Sequence, residues 1–469
     1  MPCKGGPFVL PANGSPPTLA AFPSLDLHAM PHADLLVDAR WIVPVEPHAT
    51  VLEHHSLAVS GGRIAAILSP AERAHWQAGE TVSLPSHVLL PGLINLHGHS
   101  AMTLLRGYAD DLALMDWLTN HIWPAEGRHV RDDFVFDGTL LAMAEMIRSG
   151  TTTINDMYFF HGAVARAGLQ AGLRTFVGCT ILEFPTNYAA CADEYLQKAL
   201  AERQDYQGEE RVTFTLAPHA PYTVSDDTFR KIVTTAEQAD MLVHCHIHET
   251  AGEVADSLRD HGVRPLARLA GLGLLSPRLT AAHMVHVDDS DLEQAARYGI
   301  SVAHNPTSNM KLASGIAPVS RMLDAGINVG IGTDGAASNN RLDLFGEMRL
   351  ASLLAKGVSG DASALPAAEV LRMATLGAAE ALGLGPKIGS IAPGKLADLC
   401  AVSLGDLESR PCYDPLSHLI NVASRDNVTH VWVAGKCCVD NKTLPNDRQN
   451  DLESAVALWQ NSLEFRQRP

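Results

Sequence analysis

At 469 residues the chain has room for more than one domain and for a large buried core, and its 46% hydrophobic and 19% charged residues are the composition of a soluble globular protein. A formal net charge of -17 argues against a nucleic-acid or anionic-membrane partner, because surfaces that bind phosphate carry a basic excess; a small-molecule substrate is expected. No apolar run reaches the ~18 residues that span a bilayer, and the eight cysteines, scattered without a CxxC pair, read as reduced thiols of a cytoplasmic protein.

Residues 1–30 are rich in Pro, Gly and Ala and lack the continuous apolar core of a signal peptide. They are expected to form a poorly ordered N-terminal extension, with translation from Met30 a further expectation. Over 31–90, Ala33–Ala39 and Ser56–Val59 read as strands, and Gly61-Gly62 suits a two-residue hairpin turn into Arg63–Ile67. From 91 to 388 short apolar strands alternate with longer amphipathic segments, the pattern of repeated β-α units. Strand ends are expected at His99, Asp156, Gly178, His219, His246, His283, Asn305 and Asp334. Eight such units make a (β/α)8 barrel of the α/β class the economical architecture, with active-site groups at the C-terminal ends of the strands. The run Asp110–Ile122, stopped by Pro124, is predicted to be a helical lid over the barrel mouth. Residues 389–445 return to strands, with a hairpin turn after Val428–Val433, and 446–469 set Leu452, Ala455, Val456, Trp459 and Leu463 at helical spacing.

The apolar run Leu89–Leu96 ends in His97-Gly98-His99. On a strand, side chains two apart share a face, so both imidazoles point one way and offer half of a metal site. His244, His246 and His248 also share a parity, and spacing alone does not choose among them. Glu249 lies three residues after His246, on the opposite face by alternation, so the chain must turn there if Glu249 is to face inward.

Pro91-Gly92-Leu93-Ile94-Asn95-Leu96-His97-Gly98-His99, His246-x-x-Glu249, His283 and Thr333-Asp334 resemble the mononuclear amidohydrolase superfamily. Within it, the chain from about Ala33 to about Lys442 is similar to the 5'-methylthioadenosine/S-adenosylhomocysteine deaminase family. The resemblance implies a distorted (β/α)8 barrel with a small discontinuous β-sandwich built from N- and C-terminal segments. It implies one divalent metal per subunit, zinc first and iron or another transition metal possible, on His97, His99, His246 and Asp334, with water completing the site. Glu249 is assigned general acid/base work on the ring nitrogen, His283 stabilisation of the attacking oxygen, and Asp334 the proton of water. For the substrate, His219 is assigned to the purine and Glu126 to both ribose hydroxyls. Trp117 either packs in the core of its helix or walls the nucleoside pocket.

Strand four ends in Pro218-His219 without the lysine that bridges two metals in the binuclear branch, which favours one metal and argues against dihydroorotase- or hydantoinase-like activity. The expected reaction is hydrolytic loss of ammonia from the adenine ring of 5'-methylthioadenosine, S-adenosylhomocysteine or adenosine. Two alternatives stand beside it: a related deaminase or hydrolase acting on a free base (guanine, 8-oxoguanine) or an s-triazine, and a barrel that has lost catalysis and serves as a scaffold. A homo-oligomer, dimer or tetramer, is expected by the same resemblance.

Overall fold

The structure, a computed structural model, describes residues 30–444 and 446–464. The extension expected over 1–30 lies, Met30 apart, outside the described residues, as do the last five residues of the expected C-terminal helix.

Five strands open the chain: β1 (His32–Ile42), β2 (Leu52–Glu53), β3 (Ser56–Ser60), β4 (Arg63–Leu68) and β5 (Gln77–Pro91). Gly61 and Gly62 take φ of +56° and +73° at the β3–β4 turn, the left-handed backbone that a two-residue hairpin needs. The first half of β5 was not legible in the sequence. It is largely exposed and carries Gly79 and Pro85, so neither alternation nor propensity marks it; parallel pairing along β1, from His32 with Gln77 to Ile42 with Leu89, recruits it.

The barrel follows: β6 (Leu93–Gly98), β7 (Thr151–Tyr158), β8 (Arg174–Ile181), β9 (Val212–Pro218), β10 (Val243–Ile247), β11 (Leu279–His283), β12 (Ser301–His304) and β13 (Asn328–Ile331). Each pairs in parallel with the next. β7, β8, β10 and β11 are buried throughout, as parallel strands covered by helices must be. The ring closes where the His97 carbonyl accepts from Thr333 N–H at 3.1 Å and Asp334 N–H at 3.0 Å. Eight parallel strands with helices outside are the expected barrel, and every predicted strand end lies within three residues of the observed one.

The last strands, β14 (Leu399–Ser403), β15 (Val428–Val433) and β16 (Lys436–Val439), join the first ones in a second sheet of order β16-β15-β14-β5-β1-β3-β4, with β2 beside β1. Both ends of the chain therefore build it, as the resemblance implied. It curls around Val37, Leu57, Ile64, Leu89, Leu399 and Trp432, so the two layers of the sandwich belong to one hydrogen-bonded sheet. Ile64 laces the layers, donating to Lys395 O at 2.9 Å and accepting from Gly394 N–H at 2.8 Å. Sheet and barrel meet at a buried ion pair, Arg174 on β8 with Asp398 at 3.3 Å, and Asp398 also accepts from Ala434 N–H at 2.7 Å. The C-terminal helix Asn446–Glu464 docks Trp459 on Phe134, ring centroids 5.1 Å apart, with its Nε1–H donating to Asp137 at 2.8 Å.

The lid differs from its prediction. Residues 110–113 are not helical, and Pro124 does not stop the helix: Leu114–Asp116 runs through a π-helical turn, Trp117–Ile122, into Trp123–His129. In the widened turn Trp123 N–H reaches back five residues to Leu118 O. A proline with no N–H follows at the start of a new α-helical turn, the position where a missing donor costs least.

Candidate active site

Three separated segments converge at the C-terminal mouth of the barrel. His97 is the last residue but one of β6 and His99 follows the strand; their Nε2 atoms lie 3.3 and 3.2 Å from the same oxygen, Asp334 Oδ1, in the loop after β13. From β10, His246 Nε2 reaches within 3.2 Å of His99 Nε2. His283, at the end of β11, stacks 5.4 Å from the His246 ring.

The outward nitrogens fix what faces inward. His99 Nδ1–H donates to Met157 O at 2.7 Å and His246 Nδ1–H to His219 O at 2.6 Å, so in the neutral form of each ring the Nε2 lone pair faces the centre. His97 Nδ1 contacts His244 Nε2 at 2.9 Å, while His97 Nε2 is a buried nitrogen that makes no hydrogen bond.

Burial holds His97 down at about 4 and His246 well below the usual imidazole range, so both are neutral at pH 7. Burial also opposes charge on His99, but the hydrogen bond and charge of Asp334 outweigh it and hold that imidazole up at about 9. Burial pushes Asp334 up, and the two imidazoles overcome it, keeping the carboxyl well below the carboxylate range. An anionic oxygen and the imidazole nitrogens of three segments thus converge on one point. The donors of His97, His99 and Asp334 lie within 4.8 Å of one another, as do those of His97, His246 and His283. The set fits one divalent ion of the zinc type, with an orphaned buried nitrogen already aimed at it.

Local backbone explains the other groups. His248, at φ +58°, breaks the strand after Ile247 and swings Glu249 into the cavity, which is the turn that alternation required. His248 itself is taken out of the cavity: its Nε2 accepts from Leu266 N–H at 3.1 Å and its Nδ1–H donates to His286 O at 3.0 Å. His244 sits behind His97, so His246 is the member of the same-parity trio that faces the centre. Glu249 lies 3.9 Å from His283 Nε2 and accepts from Ser314 Oγ at 3.4 Å; burial, with Asp334 adding, raises its pKa above the usual value. His283 and Asp334 are also left-handed, φ +76° and +61°. Asn309 Oδ1, 2.8 Å from His283 Nδ1, turns the opposite nitrogen toward Glu249. Asp334 Oδ2 accepts from Ser308 Oγ at 2.6 Å and Ser338 Oγ at 3.0 Å, while Oδ1, which accepts from Gly335 N–H at 2.8 Å, faces the histidines. Gly332 permits the closure: a Cβ there would stand 2.4 Å from Asn305 Oδ1 and 2.8 Å from His97 N.

From this centre a cavity of about 560 Å³ runs out under the lid. Glu126, half-buried in its wall, accepts from Tyr158 O–H at 2.7 Å, and burial pushes its pKa up to about 7 against that hydrogen bond. Trp117 is buried in the same wall, its Nε1–H donating to Ala109 O at 3.1 Å. His219 lines the inner end, its ring 4.9 Å from that of His246, and burial holds it down at about 3. All the residues singled out in the sequence therefore border one cavity or its metal-binding end, except that His97 is wholly buried behind it. Sequence reading missed Tyr158, Ser308, Asn309 and Ser314, and the function of His244 behind His97. They act through contacts with distant segments, for which a single chain carries no local signal.

A family model described as the amidohydrolase family matches residues 88–438. The chain belongs to the amidohydrolase family. It is 46% identical over 429 residues to a 5-methylthioadenosine/S-adenosylhomocysteine deaminase of Saccharophagus degradans, covering 91% of this chain and 96% of that one. It is 42% identical over 384 residues to a 5'-deoxyadenosine deaminase of Methanothermobacter thermautotrophicus, 81% and 88% of the two chains. Among solved structures, an adenosine deaminase from Xanthomonas campestris with bound zinc superposes with a TM-score of 0.92 at 48% identity, over 93% of this amidohydrolase and all of that chain. Among the described residues no helix is long and apolar enough to cross a membrane.

Proposed function

We propose that this amidohydrolase is a zinc-dependent aminohydrolase that removes the amino group from the adenine ring of 5'-substituted adenosines, 5'-methylthioadenosine, S-adenosylhomocysteine and adenosine among them, giving the inosine analogues and ammonia. The observation that carries the reading is one cavity with a proton-carrying carboxyl, Glu249, beside a histidine and aspartate cluster at one end and a second carboxyl, Glu126, farther out. The names of the relatives point the same way.

His97, His99, His246 and Asp334 would hold the ion, which when bound supplies Lewis acidity and brings the pKa of water toward neutrality. Glu249, with its raised pKa, protonates the ring nitrogen next to the amino-bearing carbon as water adds to that carbon. Asp334 takes one proton of the attacking water and passes it to the departing amine, and the remaining hydroxyl proton returns to Glu249 as the carbonyl forms and the carbon–nitrogen bond breaks, so that water is consumed and ammonia released. His283, steered by Asn309, faces the oxygen that develops charge. His219 borders the purine, Trp117 walls the nucleoside, and Glu126 accepts from the two ribose hydroxyls. A carboxylate placed for ribose favours a nucleoside over a free base or an s-triazine. A cytoplasmic location is part of the proposal, supported by the free thiols among the described residues. The homo-oligomer, and the division at residues 31–90, 91–388, 389–445 and 446–469, belong to the same reading.

Ammonia release by the zinc-loaded protein, tested on methylthioadenosine, 5'-deoxyadenosine and adenosine against adenine, guanine and an s-triazine, tests it. Turnover of the nucleosides, lost on chelation and restored by zinc, is expected. Inert nucleosides with an active free base or triazine would overturn it.

A further inference from the structure

The 5' arm of such a nucleoside has a definable environment. With the amino-bearing ring at Glu249 and the ribose hydroxyls on Glu126, the 5' carbon would point beyond Glu126 to the wall formed by the lid, the end of β7 and the loop after β8. That wall is aromatic and aliphatic: Leu118, Trp123, Val130, Phe159, Phe184 and Tyr188. Trp123 and Phe184 lie 5.6 Å apart, ring to ring.

The polar tips of the loop are spent elsewhere. Thr186 Oγ1 pairs with Tyr195 O–H at 2.6 Å. Asn187 Nδ2 donates to Gly127 O and Val130 O, both at 3.0 Å, which ties the loop to the helix that carries Glu126. Tyr188 O–H donates to Glu202 at 2.6 Å. What Thr186 and Tyr188 leave for the cavity is methyl and ring face.

Among the described residues that line the cavity there is no lysine or arginine, and its carboxyl groups are Glu126, Glu249 and Asp334. Of the nearby cations, Lys198 is held by Glu194 at 2.9 Å and by the Tyr188 carbonyl, and Arg128, which donates to Tyr108 O–H at 3.2 Å, is exposed and does not line the cavity. A neutral thioether or methyl group fits this wall and gains sulfur–aromatic contact. An amino-acid zwitterion would shed water there without a cation among the lining residues for its carboxylate, and Glu126 is the carboxyl on that side of the cavity.

We propose that this pocket selects its substrate by the charge of the 5' substituent, taking neutral arms such as methylthio, alkylthio or hydrogen far better than the charged homocysteine arm of S-adenosylhomocysteine. The proposal rests on the nucleoside reading above and narrows it; the homocysteine adduct remains a substrate, but a poor one.

The test is kcat/KM of the zinc-loaded full-length enzyme for 5'-methylthioadenosine, S-adenosylhomocysteine and 5'-butylthioadenosine, the last matching the homocysteine arm in length without its charges. Methylthio and butylthio substrates within about threefold of each other, with S-adenosylhomocysteine at least about tenfold below both, is the expected result, since an unpaired buried charge is rejected more strongly than an extra methylene. S-adenosylhomocysteine equal to or better than methylthioadenosine would overturn the proposal while leaving the deaminase reading intact. A butylthio substrate as poor as S-adenosylhomocysteine would also overturn it, because length and not charge would then decide. If all three are inert and a free base is turned over, it is the nucleoside reading that fails, and this proposal falls with it.

Discussion

Replacing Glu126 tests the substrate end of the cavity independently of the chemistry at the other end. A carboxylate accepting two ribose hydroxyls makes two hydrogen bonds to a charged group, each worth about 1.5–3 kcal/mol net. Glu126 is half-buried, so the lower figure applies, and Glu126→Ala removes about 3 kcal/mol, which is roughly a hundredfold in kcat/KM at about 1.4 kcal/mol per decade. The loss is expected mainly in KM, since the ribose contacts exist before and during the reaction. The pH profile carries a second signature. Burial lifts this carboxyl to about 7 from an ordinary value of 4.5, so it loses its charge as pH falls through 7, and ribose binding weakens with it. Between pH 8 and pH 6 the ionised fraction of such a group falls about tenfold. An acid limb near pH 7 in kcat/KM for methylthioadenosine is expected, absent in Glu126→Gln. The stability linkage has the opposite sign: a raised carboxyl pKa means the folded protein binds the extra proton, so Glu126 detracts from stability as pH rises above its unfolded value. Glu126→Gln is therefore expected to melt higher than the wild type at pH 8 and equally at pH 4. Steady-state ammonia release and thermal melts at these pH values suffice. A Glu126→Ala enzyme whose KM for methylthioadenosine is unchanged would refute the ribose role.

Glu249→Gln should retain its metal by elemental analysis and lose about 10²- to 10⁴-fold in kcat, because an amide cannot pass a proton; near-wild-type turnover would remove Glu249 from the proton path. His244→Ala takes away the group that orients His97 at 2.9 Å and should weaken metal affinity about 10- to 100-fold in a chelator competition, with an unchanged affinity counting against that coupling. Gly332→Ala forces a Cβ to within 2.9 Å of the His97 side chain and should cost metal content before it costs fold, seen as metal loss with a retained far-UV spectrum. Arg174→Met strands the buried Asp398 carboxylate and should destabilise the protein by about 3–5 kcal/mol; a melt within a degree of the wild type would show the pair to be dispensable.

The fold and the centre of the site were legible for the same reason. In a parallel barrel each strand runs from the base to the mouth, so the residue that ends an apolar run stands at the mouth by necessity, and strand parity alone aims His97 and His99 together. The chemical types at those ends, imidazoles from β6, β10 and β11 and a carboxylate after β13, were therefore readable one segment at a time. The first half of β5 was not, because an exposed strand that lies along β1 carries no hydrophobic alternation of its own.

What the sequence by itself determined is the repeat of β-α units, the residues that end each strand, and hence the donor set available at one rim of the barrel. Only the tertiary structure decided which of His244, His246 and His248 turns inward, how Glu249 comes to face the cavity, and how the lid passes Pro124 without ending. The first two depend on a left-handed backbone at His248 and on partners from distant segments, His97, His286 and Leu266, that hold the other imidazoles away. The third depends on a turn widened by one residue. Choices of that kind are settled by contacts between remote parts of the chain, which local periodicity does not encode.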